Sequence, residues 1–254
     1  MSGMMERRSF LLSACAAALL PASEPLHASE LPRPFPAELQ QALGMALNDP
    51  ALAEKLAPVL LDVGFHWQPP TQPQATFQTI VAYSFGNRPK ASGASNPSPG
   101  PINETLANAV AEAQHRSKAS TVYAQWEIAS FLDAKSLAAN IVPINPVVAA
   151  DGSVTYLSTD GVAQAAVTHA GGDAAKLGRV CVIGHHDHAK RCVQTSRARG
   201  MDAWAMEGLR LPAGYDPDSD QPWTRNREIY LIQDMAAQLM QIRAARLANV
   251  PAPS

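Results

Sequence analysis

Val180-Cys181-Val182-Ile183-Gly184-His185-His186-Asp187-His188-Ala189-Lys190-Arg191 joins an apolar run, a polar turn and the opening of a helix. Four apolar residues closed by a glycine read as a buried strand over 180–184, and the pattern over 189–199 reads as a helix. The same unit recurs outward along the chain. Strands are predicted at 77–84, 121–126, 154–158, 180–184 and 203–206, and helices at 103–115, 127–139, 162–170, 189–199 and 224–248. Strands alternating with helices make βαβ units, whose right-handed crossovers build a mostly parallel sheet covered on both faces. The expectation is an α/β protein: a Rossmann-like three-layer αβα sandwich over residues 75–248, preceded by a short helical hairpin.

That hairpin lies in residues 29–74. Leu39, Leu43 and Leu47, then Leu52, Leu56, Val59 and Leu60, recur at helical spacing over 36–46 and 49–63. Asn48-Asp49-Pro50 separates the two, because Asp caps a helix and Pro suits its first position. Gln68-Pro69-Pro70-Thr71-Gln72-Pro73 then reads as a Pro-rich linker. The Ser-, Asn-, Pro- and Gly-rich stretch 90–100 is long enough for a flap, and a solvent-exposed connection is the plainer reading.

The 254 residues are 46% hydrophobic and 17% charged with a formal charge of −2, which fits one globular domain with additions. Bulk charge excludes a general attraction to nucleic acid polymers, so anion recognition requires a local cluster. Residues 1–28 read as an export signal: Glu6-Arg7-Arg8-Ser9-Phe10-Leu11-Leu12 resembles the twin-arginine motif and precedes an Ala-rich apolar stretch too short to anchor in a bilayer. Leu12-Ser13-Ala14-Cys15 also matches a lipobox, which would leave a lipidated Cys15. Cleavage near Ala22 or Ala28 is preferred, giving a periplasmic protein whose membrane contact is the signal or a lipid anchor. Cys181 and Cys192 then remain, either as buried apolar thiols or as a single bridge.

In open α/β sheets ligands bind beyond the carboxyl ends of the strands. Those ends are polar here: Ser84-Phe85-Gly86-Asn87-Arg88, Gln125-Trp126-Glu127, Ser158-Thr159-Asp160, His185-His186-Asp187-His188 and Glu207. The candidate ligand-binding residues are Ser84, Gly86, Asn87, Gln125, Ser158, Thr159, His185 and Arg191. His188 and Arg191 share a helical face at a helix start, an arrangement suited to phosphate or carboxylate. The rival readings of the histidine cluster are a metal site built from His185, His186, Asp187 and His188, and a solvated polar turn. Neither His-Glu-x-x-His nor another strong metal spacing is present. Glu127, Asp160 and His188 are the candidate acid/base groups, a carboxylate beside an anion having reason to titrate high. Ser84 or Ser158 with His188 and Asp160 could imitate a nucleophile, base and orienter. Arg225 and Arg227 open the last helix, either to pair with the acidic loop 216–220 or to reach the pocket. No dinucleotide fingerprint, Walker loop or Gly-x-Ser-x-Gly elbow occurs.

Four elements in order resemble the ElyC/SanA/YdcF-like domain family of bacterial envelope proteins. They are Thr79-Ile80-Val81-Ala82-Tyr83-Ser84-Phe85-Gly86, Ser158-Thr159-Asp160-Gly161, the strand Val180 to Gly184 leading to His188 and Arg191, and Arg227-Glu228 on a late helix. The family's Ser-Gly-Gly turn after the second strand is replaced by Gln125-Trp126-Glu127, and His185 and His186 are additions. The resemblance implies a Rossmann-like fold, a pocket lined by these strand ends, and a role in envelope polysaccharide or lipid-carrier metabolism, without a cofactor or mechanism to carry over. The expectation is an exported protein that binds a phosphate-bearing or nucleotide-like small ligand. A metal-dependent periplasmic hydrolase and a non-enzymatic envelope-assembly partner are the alternatives.

Overall fold

The computed structural model describes residues 34–92, 97–148 and 154–251. The export signal, Cys15 and the tip of the 90–100 loop lie outside them.

Two helices come first, α1 (Phe35–Leu47) and α2 (Pro50–Phe65), packed against each other as the leucine spacing predicts. The Asp49 carboxylate caps α2 by accepting the Leu52 N–H at 2.9 Å, and Pro50 takes the first position. Next come the strands β1 (Thr71–Gln72) and β2 (Thr79–Ala82), helix α3 (Pro101–Ser117), β3 (Thr121–Gln125), α4 (Trp126–Leu132) and β4 (Asn140–Ile144). A short antiparallel pair, β5 (Val147–Val148) with β6 (Val154–Thr155), leads to α5 (Thr159–His169). The chain ends with β7 (Arg179–Ile183), α6 (Ala189–Ala198), β8 (Asp202–Met206) and α7 (Arg227–Ala248).

Six strands form one all-parallel sheet in the order β1-β8-β7-β2-β3-β4. From β2 the chain moves outward through β3 to β4, returns to β7 on the other flank, and moves outward again to β8. The winding therefore reverses between β2 and β7, which opens a crevice at the carboxyl ends of those two strands. Alternate residues of each strand serve opposite faces. Ile80, Val122 and Ile183 pack with Leu106, Val110 and Ile128 of α3 and α4, whereas Val81, Val182 and Ala203 pack with Val162, Ala166 and Val193 of α5 and α6. Cys181 belongs to the first face and Cys192 to the second. Both are buried free thiols, so the bridge is not formed and the apolar reading holds.

Three sequence expectations need correction. The 154–158 strand is not part of the sheet: residues 154–155 pair only with β5. The helix expected over 127–139 stops at Leu132, passes through a short 3-10 turn and turns left-handed at Ser136 (φ 49°). Residues 140–144 then supply the edge strand β4, where Pro143, lacking an N–H, is tolerated because only one side of the strand is paired. Finally, the Pro-rich linker contributes β1, joined to the β8 side by the Ala205 N–H to the Pro70 carbonyl (2.9 Å) and the Glu207 N–H to the Gln72 carbonyl (3.0 Å).

Candidate functional site at the carboxyl edge of the sheet

Because all six strands run the same way, the segments after β2, β3, β7 and β8 emerge along one edge. Ser158 and Thr159 reach that edge by another route, at the start of α5. There the Ser158 hydroxyl accepts the Gly161 N–H at 3.1 Å as the helix cap.

The turn after β7 is built from internal contacts. His185 is fully buried, stacks on Phe85 with ring centroids 3.8 Å apart, and accepts the Asp187 N–H on Nδ1. Its proton therefore sits on Nε2, which donates to the Gly214 carbonyl at 2.9 Å. Burial lowers its pKa to about 4 and keeps the ring neutral. Asp187 takes hydrogen bonds from Tyr215 (2.7 Å) and Arg227 (2.9 Å) and lies 2.9 Å from His186 Nδ1. These partners outweigh its burial and hold the carboxyl far below the usual range. Among the described residues no three His, Cys, Asp or Glu side chains converge as a metal site, since each histidine of this turn faces a different partner.

His188 and Arg191 do share a face, and it is turned to Asp234 of α7. Arg191 donates from Nε to Asp234 Oδ1 (2.6 Å), from Nη1 to Thr159 Oγ1 (2.9 Å) and from Nη2 to the Tyr230 hydroxyl (3.4 Å). His188 places Nε2 at 3.4 Å from Thr159 Oγ1 and Nδ1 at 3.4 Å from Asp234 Oδ1. The second contact is an ion-pair distance without hydrogen-bond alignment, which leaves Nδ1 a buried unpartnered atom. Burial, reinforced by the Arg191 charge, lowers the His188 pKa to about 4. The expected anion contact is thereby altered: the imidazole is neutral and the guanidinium is already answered by a carboxylate.

A second group of polar side chains lies at the ends of β2 and β3. Gln125 accepts the Ser84 N–H on Oε1 at 2.8 Å, which ties the two strand ends together. Glu127, in the first turn of α4, is 1% exposed with Oε2 unpartnered, and burial raises its pKa to about 7. Asn87, 3% exposed, bonds the Arg88 carbonyl through its amide nitrogen and leaves Oδ1 without a partner. The Trp126 indole N–H is the third buried atom of this group without a well-aligned partner among the described residues; it and Ser84 lie near enough to Glu127 to pull that carboxyl's pKa down against its burial. Tyr156 adjoins this group: burial and then the neighbouring Glu127 and Asp220 carboxyls raise its pKa, against an opposing pull from Asn87. Buried polar atoms without partners are uncommon, and these three lie together among the described residues.

Gly86 has φ 68°, and a Cβ there would stand 2.6 Å from Ser219 Oγ and from Thr224 Oγ1, so its role is to let residues 219–224 close over the strand end. Asp160 departs from its expected role. Bonded to Arg199 (2.7 Å from Nε), its carboxyl is held below the usual range and does not suit a proton donor. The two arginines divide the predicted options: Arg225 donates to the Ser219 carbonyl of the acidic loop at 2.7 Å, and Arg227 reaches Asp187. Sequence reasoning missed Asp234, Tyr230, Tyr215 and Tyr156. A readable signal existed for the first two: Tyr230, Asp234 and Gln238 recur every fourth residue, a polar stripe that α7 buries.

A hollow of about 540 Å³ lies at the opposite edge, by Gln78, Arg179 and Asp202, and holds none of the unpartnered buried atoms. Comparison with protein-family models, curated proteins and solved structures returned no match.

Proposed function

We propose that the chain is an exported α/β protein of the ElyC/SanA/YdcF-like kind that binds a small nucleotide-like or glycosyl ligand at the carboxyl edge of its sheet. The observation that carries this reading is the trio of buried atoms Asn87 Oδ1, Trp126 Nε1 and Glu127 Oε2, which have no well-aligned partner among the described residues. Two acceptors and one donor suit hydroxyl and amide groups. At neutral pH Glu127 divides between both protonation states, so it can donate as well as accept. Arg191, Arg227 and Arg88 each face a carboxylate, so hydrogen bonds rather than ion pairs supply the affinity. A phosphate on the ligand is an outward group in this reading.

Calorimetric titration with uridine and with uridine monophosphate tests it. Both are expected to bind with similar affinity, little changed by salt, and Asn87→Ala and Glu127→Gln each weaken binding by about tenfold or more. Binding of the monophosphate alone, lost in Arg191→Ala, would instead favour an anion site at His188 and Arg191. Absence of binding by either compound would overturn the assignment of this ligand class. A second reading, an envelope-assembly partner without a ligand, is favoured by one feature: Phe85, His185 and Tyr215 fill the crevice between β2 and β7 with their own rings.

A further inference from the structure

The geometry points to a second capacity at this edge, beyond ligand binding: Thr159, His188 and Asp234 form a nucleophile, base and orienter that cleaves carboxylic esters through an acyl-Thr159 intermediate. Proton accounting fixes the roles. Arg191 can only donate, so Thr159 Oγ1 accepts from it at 2.9 Å and turns its own proton toward His188 Nε2 at 3.4 Å. Nε2 is then the acceptor and the remaining ring proton lies on Nδ1, which stands 3.4 Å from Asp234 Oδ1 without hydrogen-bond alignment. That is the tautomer a general base needs. Asp234 does not swing, being held by Arg191 (2.6 Å), by the Tyr230 hydroxyl (3.2 Å) and by Gln238 (2.8 Å). The Thr159 contact is a long hydrogen bond and the Asp234 contact is not yet aligned as one, so the imidazole must rotate slightly when substrate binds, as catalytic contacts often tighten only then. Thr159 is half-buried and begins α5, where the Gly161 N–H is taken by Ser158 and the N–H groups of Thr159 and Asp160 are those left to the first turn, with Arg191 adjacent.

In the first step an Oγ1 electron pair attacks the ester carbonyl carbon while the hydroxyl proton passes to Nε2. The carbonyl π pair moves onto oxygen. Its return expels the alcohol, which takes the proton from Nε2 and leaves acyl-Thr159. Water then gives a proton to Nε2 and attacks the same carbon, and Oγ1 departs with that proton, releasing a carboxylic acid. The substrate is a neutral ester rather than a phosphate monoester. Arg191 is already paired with Asp234 and Asp160 with Arg199, so neither guanidinium is left free to hold a phosphate dianion, while the single negative charge of the tetrahedral intermediate lies beside the Arg191 guanidinium.

p-Nitrophenyl acetate is the probe, read by intact mass and by peptide mapping of the full chain. The expected result is one acetyl group on Thr159, absent in Thr159→Ala, retained in Thr159→Ser, and formed about 10²–10⁴-fold more slowly in His188→Ala. Asp234 is a positioning residue, so its readout is the pH profile. The groups facing His188 are Asp234 and Tyr230 of α7, Arg191 of α6, Thr159 of α5 and Tyr83 after β2. Removing the carboxylate that favours the imidazolium in Asp234→Asn moves the acid limb of the profile to lower pH, a change that loss of packing alone does not produce. Wild-type protein that stays unacetylated, or Thr159→Ala acetylated as fast as wild type, overturns the proposal. Acetylation needs no uridine, and uridine binding needs no nucleophile, so either assignment can fail while the other stands.

Discussion

Glu127 couples burial to pH. Its carboxyl titrates at about 7 in the fold against an ordinary 4.5, so the folded chain holds a proton that the unfolded chain has released. Stability is greatest on this account below pH 4.5 and falls as pH rises to 7, by about 3 kcal/mol, after which it is level. His185 and His188, neutral to about pH 4 against an ordinary 6.5, act at the other end: their contribution is present above pH 6.5 and is lost as pH falls to 4. Between pH 4.5 and 7 the two histidines raise stability with pH while Glu127 lowers it, so the melting temperature of Glu127→Gln should climb more steeply over that range than that of the wild type; equal slopes would refute the assignment. His188 and Arg191 were legible because three histidines and an arginine crowd one turn. Asp234 was not, because it stands 43 residues beyond Arg191 and meets it only through the packing of α7.

Elements were legible where periodicity was unbroken. The strands at β2, β3, β7 and β8 and the helices between them carry apolar runs long enough to announce themselves. By contrast β4 contains Pro143, and β1 is two residues within a proline-rich stretch, so local pattern speaks against both; their pairing with β3 and β8 decides the matter. The start of α7 is also a local matter. Asn226 accepts the Ile229 N–H at 3.0 Å, which fixes the first turn and with it the reach of Arg227 to Asp187. Asn226→Ala should cost about 1 kcal/mol in chemical denaturation. A cost indistinguishable from zero would mean that the helix start is held by Arg227 rather than by its cap.

For the whole molecule, the alternation of strands and helices carried the α/β class, and the parallel sheet carried the gathering of strand ends on one side. What filled that side was not legible, since residues 207–226 fold back over it through contacts such as Arg88 with Asp216 and Tyr215 with Asp187, all distant in sequence. The proposed export belongs to this scale as well. Replacing Arg7 and Arg8 by lysine should leave the protein in the cytoplasm, measured by cell fractionation, whereas periplasmic recovery equal to wild type would exclude the twin-arginine route. The short pairing of β1 on β8 bears on where this chain can be cut. A fragment begun at residue 75 would bare the main-chain N–H groups of Ala205 and Glu207 along an open margin, inviting a second copy to add its own strand there. Residues 70–72 thus cover what would otherwise be an open sheet margin.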